Sequence, residues 1–143
     1  MNVFHWHITD TQSFPLALDS QPDFVKFGSF GPSSVYTKED VADLVSYASD
    51  RGVVIIPELD APAHVGAGWE AVDAEMTVCR NAEPWQVWCV QPPCGQLNPA
   101  SDGMYDVLQM IHKDFLEMFH PSTLHMGGDE VHFGCWNSSD SVV

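Results

Sequence analysis

Two adjacent acids near the end of the chain, Asp129 and Glu130, have the residue types that acid–base chemistry requires. They follow a strand-like stretch and the pair Gly127-Gly128, which lets a backbone approach a ligand closely. Neighbouring strand residues point to opposite faces, so the two carboxyls can flank one ligand from two sides. In a chain with 20 acids, the alternative interpretation is a solvated turn.

Two histidines near the start of the chain form a second candidate group. His5 and His7 share one strand face because side chains on a strand alternate with a period of two. One hypothesis is a His-x-His metal site in a metal-dependent hydrolase. Three residues are candidates for its further ligand: His64, His125 and Asp129. The other hypothesis is a pair of interior histidines whose hydrogen bonds are satisfied within the fold.

A third candidate group surrounds His64. Asp60 precedes it by four residues in the run DAPAH, a spacing at which a carboxylate can orient an imidazole. Glu58 shares a strand face with Asp60, and we place both acids in a supporting role around His64. The alternative is an ordinary loop turn.

Four tryptophans lie in predicted loops: Trp69, Trp85, Trp88 and Trp136. Tryptophan is more often a core residue than a ligand contact. In an acidic and otherwise weakly charged setting, however, flat rings suit the apolar faces of pyranosides, with acids bonding the hydroxyls.

The elements that must position these residues alternate between strand and helix. Strands are predicted at residues 2–8, 53–56 and 123–127, of which 53–56 is a continuous apolar run typical of a parallel strand covered on both faces. Helices are predicted after a Thr37/Asp40 capping box and from about 104 to 119. Long loops are predicted at residues 11–36 and 61–100.

Each predicted strand ends in polar residues. The three tips are Thr9-Asp10, Glu58-Leu59-Asp60 and the run from Gly127 to Glu130. The carboxyl ends of parallel strands share one edge of a sheet, so these acids should meet in a single crevice. The sequence therefore predicts a parallel α/β enzyme.

Composition limits the class of partner. The chain has 143 residues, 45% of them hydrophobic, which predicts a folded core, and a net charge of −15. This charge argues against nucleic acid or an anionic membrane as partner. The N-terminus lacks the basic and apolar regions of a signal peptide, so the chain is either cytosolic or an internal piece.

Four cysteines and a sequon indicate a compartment. The cysteines at 79, 89, 94 and 135 allow three disulfide pairings, and the spacing of Cys89 and Cys94 lacks a second close pair for a zinc finger. Together with the sequon at Asn137, they favour an oxidising, secretory environment. Four unrelated thiols are the alternative.

Three motifs, in order, resemble the family 20 glycoside hydrolases, the β-N-acetylhexosaminidases. The stretch from Phe4 to Pro15, FHWHITDTQSFP, is similar to that family's second barrel strand and following loop. The stretches PELDAPAH, from Pro57, and HMGGDEV, from His125, are similar to its third and fourth strands. Together the three motifs cover essentially the whole chain.

The resemblance implies a substrate-assisted mechanism, in which the sugar's own 2-acetamido oxygen attacks the anomeric carbon. Glu130 would be the general acid and then the base. Asp129 would orient the acetamide and stabilise the oxazolinium. His64, with Asp10 or Asp60, would form a supporting relay. No metal or cofactor is expected.

The segment from Trp88 to Pro99 is similar to the insect chitooligosaccharide-degrading branch of the family. We expect substrate contacts from four residues: Val90, Gln91, Trp69 and Trp88. The resemblance implies a glutamate where this chain has Gln91. This departure leaves the outer sugar subsite an open question. The resemblance also implies the disulfides Cys79–Cys135 and Cys89–Cys94.

A complete (β/α)8 barrel takes about 250 residues. We therefore interpret residues 1–143 as part of the catalytic TIM barrel, strands two to four, with two main helices and a long disulfide-bearing loop. The complete protein is expected to hydrolyse terminal β-linked N-acetylhexosamine from oligosaccharides, in a secreted or lysosomal setting. A homodimer is an open hypothesis. The alternatives are a non-catalytic truncated product and the metal-dependent hydrolase.

Overall fold

A computed structural model describes residues 1–142 of the chain. Strand β1 (Val3–His7) pairs in parallel with β2 (Val54–Glu58), and the register places His7 beside Glu58. Both strands lie where the sequence predicts them. His5, His7 and Glu58 consequently share one sheet face, while Trp6 and Ile55 face the helices.

The predicted third strand is reduced to a single parallel bridge between Glu58 and His125. The backbone N–H of His125 donates to the Pro57 carbonyl at 3.0 Å, and that of Leu59 donates to the His125 carbonyl at 3.3 Å. Beyond this point Gly127 and Gly128 have φ of +67° and +112°, which takes the chain out of the extended conformation. The prediction of three full strands is therefore wrong in this respect.

Two long helices cover one face of the sheet. Helix α2 (Lys38–Ser49) begins with the predicted capping box between Thr37 and Asp40, and α4 (Asp102–Phe119) runs two residues longer than predicted at its start. Trp6 packs edge-on against Phe119, with ring centroids 5.9 Å apart. The expectation that β2 is covered on both faces is wrong for its first half, since Val54 is 48% exposed.

The two predicted loops contain further elements. The first contains helix α1 (Pro22–Gly28), in which Pro22 occupies the first turn, where its missing N–H costs no hydrogen bond. The second contains helix α3 (Trp69–Val72), the 3-10 turns Ala74–Met76 and Trp85–Val87, and the antiparallel pair β3 (Thr77–Val78) and β4 (Gln96–Leu97). Helix α5 (Phe133–Asn137) follows the acidic pair. Among the described residues, none of the helices has the length and apolarity that crossing a bilayer demands.

Both disulfides implied by the resemblance are present, Cys79–Cys135 and Cys89–Cys94. The first joins the end of β3 to helix α5, and the second closes a small loop after the turn at Trp85–Val87. The long loop is therefore cross-linked to the segment that follows the acidic pair.

The hydrophobic core lies between α4 and the two loops. Phe24 packs against both Phe14 and Trp69, with ring centroids 4.7 and 5.2 Å away. Trp69 is only 2% exposed. The expectation that Trp69 contacts substrate is therefore wrong, because its ring is buried in this core.

Candidate active site

The acids at the strand ends meet on one edge of the sheet, as the parallel pattern predicts. Asp10 follows β1, Glu58 ends β2, Asp60 lies two residues further on, and Glu130 follows the His125 bridge. Three different segments supply these acids, so the proximity of the three groups arises from strand pairing and not from local sequence.

His64 lies between two carboxylates. Its Nε2 atom is 2.9 Å from Oε2 of Glu130, and its Nδ1 atom is 3.5 Å from Oδ1 of Asp10. The imidazole is only 9% exposed, whereas the Glu130 side chain is 39% exposed and open to a ligand. The sequence left open whether Asp10 or Asp60 orients His64, and the geometry favours Asp10.

The opposite charges of Asp10 and His64 stabilise each other. Pairing with Asp10, partly opposed by burial, raises the pKa of His64 to about 9. Burial alone would raise the pKa of Asp10, but pairing with His64 and His7 and the Thr11 N–H outweigh it and lower this pKa to about 2. An ionised Asp10 and a protonated His64 therefore face Glu130 across the neutral pH range.

Asp60 has a different environment. It is 2% exposed, and its Oδ1 atom has no hydrogen-bond partner within the described residues. Burial and then repulsion from Asp129 raise the pKa of Asp60 to about 6. Gly127 passes directly over this carboxyl, and a β-carbon there would overlap Oδ1 of Asp60. Asp129 is exposed beside Glu130, and one of its carboxylate oxygens lies within 4.8 Å of one of Asp60.

Glu130 has a left-handed backbone, with φ of +53°. A non-glycine residue in this region is uncommon and must be stabilised by its surroundings. The segment after it is fixed to the long loop, because the His132 N–H donates to Oε1 of Gln96 at 2.9 Å and the Trp136 indole donates to the Leu97 carbonyl at 2.8 Å. The Gln96 contact was missed at the sequence level, where a lone glutamine gives no signal.

A narrow cleft lies next to His64 and Glu130. Three of the predicted substrate-binding residues line it: Trp88, Val90 and Gln91. Val90 is 54% exposed. Cys89 also lines the cleft, so the small disulfide to Cys94 fixes the loop that carries these residues. Trp136 lies apart, beside Gly127 and Gly128.

The histidines of the proposed metal site do not assemble as that hypothesis requires. His5 Nε2 and His7 Nδ1 lie 2.8 and 3.1 Å from the same oxygen of Glu58, and His125 Nδ1 lies 2.7 Å from the other. Ligands of one tetrahedral metal at about 2.1 Å stand roughly 3.4 Å apart, so these shorter separations fit hydrogen bonds. His64 instead contacts Asp10. The arrangement favours histidines whose hydrogen bonds are satisfied by Glu58 over a metal-dependent hydrolase, although the three side chains are not interior in the described residues, where each is nearly half exposed.

The sequon asparagine, Asn137, is the last residue of α5 and is exposed. Its side chain is thus accessible for glycan attachment, which remains a prediction.

Comparison with known proteins covers the whole chain. The family model described as "Glycosyl hydrolase family 20, catalytic domain" matches residues 1–143. The chain is 52% identical over 143 residues to a chitooligosaccharidolytic beta-N-acetylglucosaminidase of Bombyx mori, and this match covers 99% of the chain and 24% of the relative. The chain therefore spans about a quarter of the length of this curated relative.

Solved structures of similar enzymes align with the same chain. A chitobiase of Flavobacterium johnsoniae aligns with a TM-score of 0.82 and 27% identity, over 99% of this chain and 21% of that one. An exo beta-N-acetylglucosaminidase of Vibrio harveyi, in complex with N-acetylglucosamine, aligns with a TM-score of 0.80 and 26% identity, over 99% of this chain and 24% of that one. The mixed α/β architecture is thus that of these enzymes, and the chain belongs to glycosyl hydrolase family 20.

Proposed function

We propose that the protein containing this chain is a β-N-acetylhexosaminidase, which removes terminal, non-reducing β-linked N-acetylhexosamine from oligosaccharides. The observation that carries this proposal is the line from Asp10 through His64 to Glu130, with Asp129 adjacent. The chitooligosaccharidolytic relative supports fragments of chitin as the substrate class. In the complete protein, this chain would supply about three of the eight strands of a (β/α)8 barrel.

Glu130 is the proposed general acid. Its exposed carboxyl faces the cleft and contacts His64, whose second nitrogen faces ionised Asp10. A proton shared between His64 and Glu130 can be delivered to the leaving oxygen of the glycosidic bond. In the second half of the reaction, the same carboxylate takes a proton from the attacking water.

Asp129 is the proposed partner of the substrate's acetamide. In the substrate-assisted reaction, the acetamide oxygen forms a bond to the anomeric carbon as the glycosidic oxygen departs, giving a cationic oxazolinium. The Asp129 carboxylate accepts the acetamide N–H and stabilises the positive charge. The negatively charged surround, with Asp10 ionised and Asp60 buried nearby, suits a cationic intermediate.

Trp88, Val90 and Gln91 are the proposed sugar contacts beyond the cleaved bond, since they line the cleft beside Glu130. The two disulfides and the exposed sequon support a secreted or lysosomal location.

The test is release of N-acetylglucosamine from chitobiose by the full-length protein, measured by chromatography. We expect release of the terminal sugar with retention of the β-configuration. Binding of chitooligosaccharide without release would instead support the non-catalytic alternative and overturn the proposal.

A further inference from the structure

The chain of contacts that reaches Glu130 continues beyond Asp10 to a residue without a role in the proposed mechanism. The ring of His7 lies between two carboxylates: Nε2 is 3.0 Å from Oδ2 of Asp10, and Nδ1 is 3.1 Å from Oε2 of Glu58. An ionised carboxylate only accepts hydrogen bonds, so both ring nitrogens must donate. Only the doubly protonated, cationic imidazole does this.

We infer that His7 is a positioning residue for Glu130: held as an imidazolium between Glu58 and Asp10, it fixes the Asp10 carboxylate that orients His64. The inference rests on the proposed hexosaminidase function and deepens it by adding two residues to the relay. His7 touches neither Glu130 nor the cleft, so it acts through Asp10.

The strand register explains why these groups meet. His7 and Glu58 are paired neighbours in the parallel sheet, so their side chains lie on the same face. Glu58 is only 5% exposed, and burying a carboxylate is costly unless donors surround it. His5, His7 and His125 supply them. These three donors hold the Glu58 carboxylate in place, and the carboxylate in turn holds the ring of His7.

The contacts of the two Asp10 oxygens show how His7 holds this carboxylate. Its Oδ1 atom accepts the Thr11 N–H and faces Nδ1 of His64, while Oδ2 is bound by His7. With both oxygens occupied, the carboxylate cannot rotate away from His64. Without His7, Oδ2 would be free, and the carboxylate could turn and weaken its contact with His64.

The charges around His7 support its cationic state. Burial lowers its pKa, but hydrogen bonds to Asp10 and Glu58 outweigh this and raise the pKa of His7. The ionisable groups that contact the ring, lie close to it or contact its two carboxylate partners come from β1, β2, the His125 bridge and the segments after the two strands: His5, Glu58, Asp60, His125, Asp10 and His64. The two acids in direct contact with the ring are Asp10 and Glu58.

The test compares two substrates of the full-length protein. An aryl β-N-acetylglucosaminide with an acidic phenol as leaving group needs little proton donation, whereas chitobiose needs a strong general acid. If His7 acts on Glu130, His7→Gln should lower kcat/KM for chitobiose on the order of tenfold more than for the aryl glycoside. This ratio does not depend on how much of the variant is folded. Equal losses on both substrates would overturn the inference.

His5→Gln is the matched control. It removes a hydrogen bond to the same Glu58 oxygen but makes no contact with Asp10. We expect its losses on the two substrates to be equal. A substrate-dependent loss in this variant as large as that of His7→Gln would show that the effect reaches the site through Glu58 without the contact between His7 and Asp10, and would overturn the specific role of His7.

A double-mutant cycle tests the path through Asp10. Once Asp10→Asn has broken the relay, adding His7→Gln should cost little further activity on chitobiose. Additive losses would overturn the inference. Neutron diffraction of the wild-type protein at neutral pH gives a test that needs no variant, because both nitrogens of His7 should carry a proton. A neutral His7 would also overturn it. If the wild-type protein cleaves neither substrate, the proposed function itself fails.

Discussion

Nε2 of His64 lies 2.9 Å from Oε2 of Glu130, although 66 residues separate them along the chain. The contact joins a buried imidazole from the long loop to an exposed carboxyl from the segment after His125. It places a nitrogen of the long loop directly against the carboxyl proposed to donate the proton. This arrangement and the packing around it determine how the full-length protein should respond to substitution.

Glu130→Gln removes the proposed proton donor while keeping the size of the side chain. We expect kcat on chitobiose to fall by a factor of about 10² to 10⁴. Substrate binding should be nearly unchanged, because a neutral amide still fills the space. Kinetics together with a binding titration check this. Near-normal turnover would remove Glu130 from the acid role.

Asp129→Asn removes the charge proposed to stabilise the oxazolinium. The rate of intermediate formation should fall by about 10² to 10³, the usual cost of one lost group of this kind. The comparison is between a 2-acetamido substrate and the same sugar with a 2-hydroxyl group. An unchanged rate on the 2-acetamido substrate would count against substrate assistance.

The pairing of His64 with Asp10 should make stability depend on pH. The pKa of His64 is about 9 in the folded protein and 6.5 as a free group. The pairing therefore stabilises the fold fully below pH 6.5, and this stabilisation is lost as the pH rises through 9. In Asp10→Asn the fall in unfolding free energy between pH 6.5 and pH 9 should be smaller. Denaturant unfolding at both pH values measures it, and an equal fall in wild type and variant would refute the pairing.

Two tryptophans of the same loop should respond in opposite ways. Trp69→Ala should cost about 3–5 kcal/mol of stability, because it opens a cavity beside Phe24. Trp88→Ala should change stability by no more than about 0.5 kcal/mol and raise KM for oligosaccharides. Thermal unfolding and steady-state kinetics distinguish them. A stable Trp69→Ala protein with a raised KM would restore Trp69 as a sugar contact.

Gln96→Leu should destabilise the segment that carries Glu130. It leaves the partly buried His132 N–H without its acceptor, at a cost of about 1–3 kcal/mol, and kcat should fall more than KM rises. The control is Gln86→Leu, in an exposed position of the same loop. If both variants behave alike, Gln96 does not fix this segment.

Much of this arrangement could be read from the sequence because its signals are local. The capping box at Thr37, the apolar periodicity of the second long helix and the polar ends of the strands each depend on neighbouring residues, and each predicted feature is present. Helix α1 gave no such signal, since its seven residues lie among scattered prolines and glycines.

The features that the sequence left undecided depend on long-range geometry. Spacing supports Asp60 as the partner of His64, and the family resemblance allows either Asp10 or Asp60, so only the folded positions separate them. Trp69 has the same residue type and loop context as Trp88, but α1 happens to pack over it. Whether residues around His125 form a strand depends on neighbours that local propensity does not encode.

The close passage of Gly127 over Asp60 has a genetic consequence. Every missense change in a glycine codon adds at least a β-carbon, and at this position that carbon would collide with a buried carboxyl in a backbone conformation that side chains rarely adopt. The codon for Gly127 is thus one at which populations should carry almost no missense variation, although its residue takes no part in the chemistry.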